Sequence, residues 1–161
     1  MSSREQSAVL ATIRHALLAI LLLGLVGTLV DLVLLEHTDG FWQQSPLYLL
    51  AMGLAATGWH VVHRGPASVR ALQATMILLM VSGAIGVLLH YKGNVEFELE
   101  LHATASGLGL FGEAVRGATP TLAPGTMIQL ALIGLAYTYR HPSLGGGSGG
   151  AAKDSSTIVG E

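Results

Sequence analysis

From Ala16 to Leu35 the chain runs for twenty residues with one ionisable side chain, Asp31. Coiled as a helix at 1.5 Å per residue, such a run covers about 30 Å, one hydrocarbon thickness. The segment is too long for a signal-peptide core, and no A-x-A-like cleavage site follows it, so it is expected to stay as an anchor. Three more apolar runs follow, at 46–62, 69–91 and 122–139. The second opens at Pro46, read as a first-turn proline, and the third follows a tight connection containing Gly65-Pro66. The fourth ends at His141-Pro142. Charged residues make up 11% of the chain, against about 25% in soluble domains, so lipid must solvate most of it. The expected fold is an all-α membrane protein, a bundle of four transmembrane helices.

Direction follows from Lys and Arg placement. Arg4 and Arg14 precede the first run, Arg64 and Arg70 lie between the second and third, and Arg140 follows the fourth. These belong on the cytoplasmic side, which places both termini there. The opposite connections carry Glu36 and Asp39, then Glu96, Glu98, Glu100 and Glu113 against Lys92 and Arg116. Aromatic residues agree: Trp42, Tyr48 and Tyr91 fall at the outer boundary, and Trp59, Tyr137 and Tyr139 at the inner one. The chain thus reads as a multi-pass inner-membrane protein with a transmembrane domain over 1–142 and an outer segment over 92–121. The glycine-rich stretch 143–161 reads as a disordered cytoplasmic tail.

Helix association in lipid depends on close backbone approach and interhelical hydrogen bonds. Gly24 with Thr28, Ala51 with Ala55, and Ser82 with Gly86 are each four apart and supply small faces. Thr57, Gln73, Thr75 and Gln129 are polar groups expected to face neighbouring helices.

Chemistry, if any, rests on few residues. Asp31 is an intramembrane carboxylate near the outer end, where Gln129 or Thr126 could partner it as proton carrier or cation ligand. A bond to a neighbouring helix or to headgroup water is the plainer reading. Val95 to His102 alternates apolar and polar, so as a strand it would put Glu96, Glu98, Glu100 and His102 on one face. Crowded carboxylates ask for a cation, although a solvated acidic face would satisfy them too. With His37 and His90 these residues form a candidate mixed-ligand site for a divalent metal, without any strong spacing signature. Haem is the less favoured cofactor: His15 and His37 stand roughly 33 Å apart by helical rise, at opposite faces. The glycine-interrupted stretch 101–115 is expected to lie along the outer interface, with Leu108 and Phe111 toward lipid and Glu113 toward water.

The absence of cysteine excludes disulfides, thiolate catalysis and cysteine-held clusters. Phosphate loops, nucleophile elbows and a basic nucleic-acid surface are also missing. Three stretches, Glu36-His37 through Gln44-Ser45-Pro46-Leu47, His90-Tyr91-Lys92-Gly93-Asn94 through Glu100, and Ala118 through Arg140-His141-Pro142, resemble segments of small four-helix bacterial membrane proteins with no assigned activity. That resemblance implies architecture and inner-membrane residence but no site residue. The expected function is a non-enzymatic one: an accessory subunit with a membrane-protein partner or a second copy, or a small bundle with an extracytoplasmic cation site. Membrane redox chemistry on haem, or ion- or proton-coupled transport through Asp31, is the alternative.

Overall fold

A computed structural model describes residues 2–145, whose regular structure is all helical, with no strand among them. Helix α1 spans Ser3–Leu34, α2 Gly40–Val62, α3 Pro66–Leu101, α4 Gly107–Arg116 and α5 Gly125–Thr138, and a 3₁₀ turn covers Pro142–Leu144. Three of them, α1, α2 and α3, are long and apolar enough to cross a membrane. Their apolar side chains point outward: only 11% of the most apolar stretch of α1 is buried, and Leu23 and Leu34 are each 76% exposed. Water would not tolerate such a surface, whereas hydrocarbon would. Helix α5 is apolar as well but has 14 residues, about 21 Å, which falls short of a hydrocarbon core by itself.

Helix α1 packs on α2 and α5, and α3 packs on α2 and α5, so the four close into a ring. Its centre is filled by Leu21, Leu25, Leu50, Leu72, Met76, Leu79 and Leu130. Glycines set the approach distances, because van der Waals contact must do what the hydrophobic effect cannot do in lipid. Gly24 meets Leu130, Gly134 meets Met76, and a Cβ at Gly53 would lie 3.2 Å from Leu25. Ala51 and Ala55, by contrast, are exposed, so the buried stripe of α2 runs through Gly53, Ala56, Thr57 and His60 instead. The Thr57 and Thr75 hydroxyls donate within their own helices, to Gly53 O and Ala71 O, and bridge nothing.

Three boundaries depart from the sequence reading. Helix α2 begins at Gly40, so Pro46 sits inside it rather than in its first turn. The carbonyl that Pro46 cannot bond belongs to Trp42, and the Ser45 hydroxyl donates to it at 3.3 Å. Helix α3 continues to Leu101, with His102 as its cap, through the stretch 95–102 that was expected to be extended. A lone strand would leave its backbone groups unpaired, while the helix satisfies them internally. Side chains four apart also pair along it, Lys92 with Glu96 at 3.5 Å and His102 with Glu98 at 3.9 Å. Helix α4 then folds back along this extension of α3, burying Ala114, with Leu108 left 89% exposed. Of the stretch expected to be a disordered tail, residues 143–145 belong to the final turn and 146–161 lie outside the described residues.

Between α4 and α5 the chain is irregular, and Asn94 of α3 holds it. The two N–H groups of the buried Asn94 amide are shared among Ala114 O, Thr119 O and Thr121 Oγ1, all within 3.0 Å, and its oxygen accepts from Thr119 N at 3.1 Å. Below that clamp, Pro124 is pressed against α3 where Gly83 and Gly86 leave room: a Cβ at Gly86 would come within 2.7 Å of the proline ring.

Candidate functional site: a cavity at the acidic end of the bundle

The Asn94 clamp and the two glycines position residues 119–124 as one wall of a cavity of about 640 Å³. The other walls come from the end of α1 (Thr28, Asp31, Leu32, Leu35), the start of α2 (Trp42, Gln43, Pro46) and α3 (Ser82, Leu89, His90). His37 closes it from the α1–α2 connection. Irregular backbone near membrane depth is tolerated where it is buried in protein or lines a wet cavity, and this segment does the latter.

The protonatable groups here are all able to accept hydrogen bonds. Asp31 is exposed to the cavity, and its carboxylate has no hydrogen-bond partner among the described residues. His90 Nδ1 lies 3.0 Å from Pro120 O; a carbonyl can only accept, so Nδ1 carries the proton and the neutral ring keeps its lone pair on Nε2. Burial, and next the neighbouring His90 charge, hold the His37 imidazole below its ordinary 6.5. The residue before it, Glu36, takes φ 51°, a left-handed conformation that costs a non-glycine residue about 1 kcal/mol. That twist is what turns His37 back over the cavity mouth. Among the described residues no Lys or Arg lines the space.

The six residues expected to share a metal are divided by the helix. His37 and His90 line this cavity, while Glu98 and His102 line a second space of about 290 Å³ between α3 and α4 with Glu113. Glu96 is engaged by Lys92, and Glu100 is exposed. At 100° per residue, Glu96 and Glu98 point to opposite sides of α3, so the single acidic face dissolves. Among the described residues no group of three His, Asp or Glu side chains comes together as metal ligands, and the donor set does not fit a metal held by three of them. Of the pair expected within the membrane, Asp31 faces the cavity beside Thr126, whereas Gln129 is exposed on the outside of α5.

A second polar cluster lies at the opposite, basic end. His60 is fully buried; its Nδ1 is 2.9 Å from Ser68 Oγ and its Nε2 2.8 Å from Tyr137 OH. Ser68 Oγ donates its single hydrogen to a backbone carbonyl, His63 O, at 2.6 Å, so it accepts from Nδ1–H and Tyr137 donates to Nε2. The cluster bridges the ring's diagonal from α2 to α5, and the His141 ring packs 5.1 Å from that of His60. With both nitrogens engaged, His60 has no lone pair for iron or any other ligand. The sequence signal available for it was slight: Tyr137 and His141 are one turn apart, and Ser68 opens α3.

No protein-family model, curated protein or solved structure matches this chain.

Proposed function

We propose that this is a small integral membrane protein whose cavity binds an amphipathic organic cation from the extracytoplasmic side. The single observation behind this is that Asp31, His37 and His90 line one cavity that, among the described residues, no Lys or Arg shares. An alkylammonium group is the natural complement. Its N–H groups donate to the Asp31 carboxylate and to His90 Nε2, the Trp42 ring offers a face to the charge, and Leu32, Leu35 and Leu89 receive the alkyl portion. Placement of Arg4, Arg14, Arg64, Arg70 and Arg140 supports a cytoplasmic location for both termini. A fourth crossing is completed by α5 together with the 119–124 segment, which makes up the length that α5 lacks.

Binding without turnover is the reading the geometry favours. Among the described residues no hydroxyl lining the cavity is hydrogen-bonded to a histidine, the pairing that would activate it as a nucleophile. Passage through the bundle is disfavoured by the packed layer of Leu21, Leu25, Met76 and Leu79 between the cavity and the His60 cluster.

The test uses purified protein in nanodiscs, in a Trp59→Phe background, with Trp42 fluorescence followed against hexylammonium and against hexanol. Saturable binding of the amine is expected, at least tenfold weaker in Asp31→Asn and weakening as pH falls below the ordinary imidazole 6.5, because a protonated His37 adds a like charge to the cavity. Equal binding of the alcohol, or an unaffected Asp31→Asn, would overturn the assignment.

A further inference from the structure

Among the described residues, the bundle's basic end carries an excess of positive charge with no salt bridge to balance it. Both ion pairs among the described residues, Lys92 with Glu96 and His102 with Glu98, lie at the other end. Glu5 is the one described carboxylate near the basic end, and it is used by the capping box of α1, accepting from Ser2 N at 2.7 Å. Three cationic or protonatable side chains from separate elements nevertheless converge there. Arg14 of α1 reaches across to donate from Nη2 to Arg140 O at 3.1 Å. Arg64 lies in the α2–α3 connection, and the Ser143 hydroxyl donates to its carbonyl at 3.2 Å, fixing the final turn against that connection. His141 packs against His60 and Tyr137, close enough to Arg14 and Arg64 to feel both charges.

Two details show that this convergence is built. Arg140 takes φ 47°, the only positive φ besides that of Glu36 among described non-glycine residues, and it swings His141 back onto the bundle. Strain of this kind persists where surrounding contacts over-determine it, here the Arg14 bond to the Arg140 carbonyl. In addition, His141 Nδ1 accepts from Ser143 N at 3.3 Å, which leaves Nε2–H as a donor. Burial, then His60, Arg14 and Arg64, hold the His141 imidazole below its ordinary 6.5, as expected of a cationic cluster that lacks its counter-ion.

We infer that Arg14, Arg64 and His141 together bind the phosphate of an anionic phospholipid at the headgroup level of the basic end. A guanidinium matches phosphate oxygens through paired N–H donors, and Arg14 spends one of its N–H groups on Arg140. The chain's exterior beside this point is apolar, with Val62 and Ile13 exposed, so acyl chains can lie where the headgroup is held. Free phosphate offers the same chemistry without the chains. The inference is independent of the cavity at the other end.

The protein is reconstituted with equal amounts of phosphatidylglycerol and phosphatidylcholine, extracted gently, and its retained lipid measured by native mass spectrometry. At least a tenfold excess of phosphatidylglycerol is expected. Arg14→Gln with Arg64→Gln should abolish that excess, whereas Arg4→Gln with Arg70→Gln, which removes the same charge from the same end, should keep it. Equal retention of the two lipids, equal loss in both double variants, or full displacement by millimolar inorganic phosphate would overturn the inference. A readout on the unaltered protein guards against misfolding of a variant: the His141 imidazole, followed by nuclear magnetic resonance, should titrate at higher pH in phosphatidylglycerol than in phosphatidylcholine. An unchanged titration would count against the assignment.

Discussion

At the basic end, His60 has neither room nor spare valence; at the acidic end, Asp31, His37 and His90 have both. Each end uses a left-handed residue, Arg140 or Glu36, to fold a histidine over the bundle. The difference lies in what those histidines meet. His141 meets a filled core in which the Ser68, His60 and Tyr137 bonds close a chain, and no buried side-chain polar atom there lacks a partner. His37 meets open space bounded by residues 119–124. A satisfied buried network fixes structure, while polar groups aimed into a cavity are free for a ligand. Substitutions should therefore separate the ends, with stability lost at one and binding lost at the other.

The largest stability effect is expected for His60→Ala. It removes a fully buried ring and leaves the Tyr137 hydroxyl without its acceptor, while Ser68 keeps its bonds to Gly65 N and His63 O, a loss of about 3 kcal/mol when cavity and unpaired-group costs are combined. Tyr137→Phe should lose about 1–2 kcal/mol, since only the His60 Nε2 bond goes. Thermal or denaturant unfolding in detergent reads both, and neither should alter alkylammonium binding by itself. If His60→Ala unfolds like the unaltered protein, the cluster is not the structural lock its geometry describes.

Next in size is Gly86→Val. A side chain there strikes Pro124, and overpacking of this kind costs about 1–3 kcal/mol. Because Pro124 belongs to the cavity wall, this variant should lose stability and binding together. Stability lost without any change in binding would mean that the wall does not shape the cavity.

How far the sequence foretold these two ends depends on the range of the interactions. The runs at 16–35 and 69–91 announced α1 and α3, because a membrane span is a local property of some twenty side chains. The Val95–His102 alternation misled, since a helix that projects beyond the bundle and is wetted on several sides need not sort its residues at a 3.6 period. Pro46 misled in the same way, because the Ser45 hydroxyl that rescues the Trp42 carbonyl has no sequence signature. Asp31, His37 and His90 were each legible as candidates, but their assembly in one cavity depends on the Asn94 clamp and on Gly83 and Gly86, which act between distant segments. Nothing local singled out His60 as the centre of the buried cluster: its partner Tyr137 lies 77 residues away.

A smaller effect should follow pH, and it should come from both ends. His37 and His141 are each held below 6.5 in the folded protein, so the unfolded chain accepts protons that the folded one refuses. Their contribution is complete above about pH 6.5 and is lost as pH falls through the window below it. Among the described residues the groups facing His141 are His60, Arg14, Arg64 and Tyr137, none of them a carboxylate, so none of these offsets its charge on protonation. The melting midpoint should drop by a few degrees between pH 7 and pH 5, and a His37→Gln, His141→Gln variant should show a flatter dependence. Identical slopes would place the pH sensitivity elsewhere.

The smallest effect on stability, and the sharpest contrast between the ends, belongs to Asp31→Asn. The carboxylate makes no hydrogen bond among the described residues and stands exposed at the cavity, so nothing in the fold depends on its charge. An ionised carboxylate near hydrocarbon is itself a cost, put at about 2.5–3.5 kcal/mol at the centre of a span and less toward its end. Replacing it by the isosteric amide should leave stability within about 0.5 kcal/mol or raise it slightly, while alkylammonium binding falls at least tenfold. A group that costs stability and supports no internal contact is retained for something outside the fold. Loss of more than about 1 kcal/mol in Asp31→Asn would show instead that the carboxylate is structural, and the acidic end would then be a second lock like the one around His60.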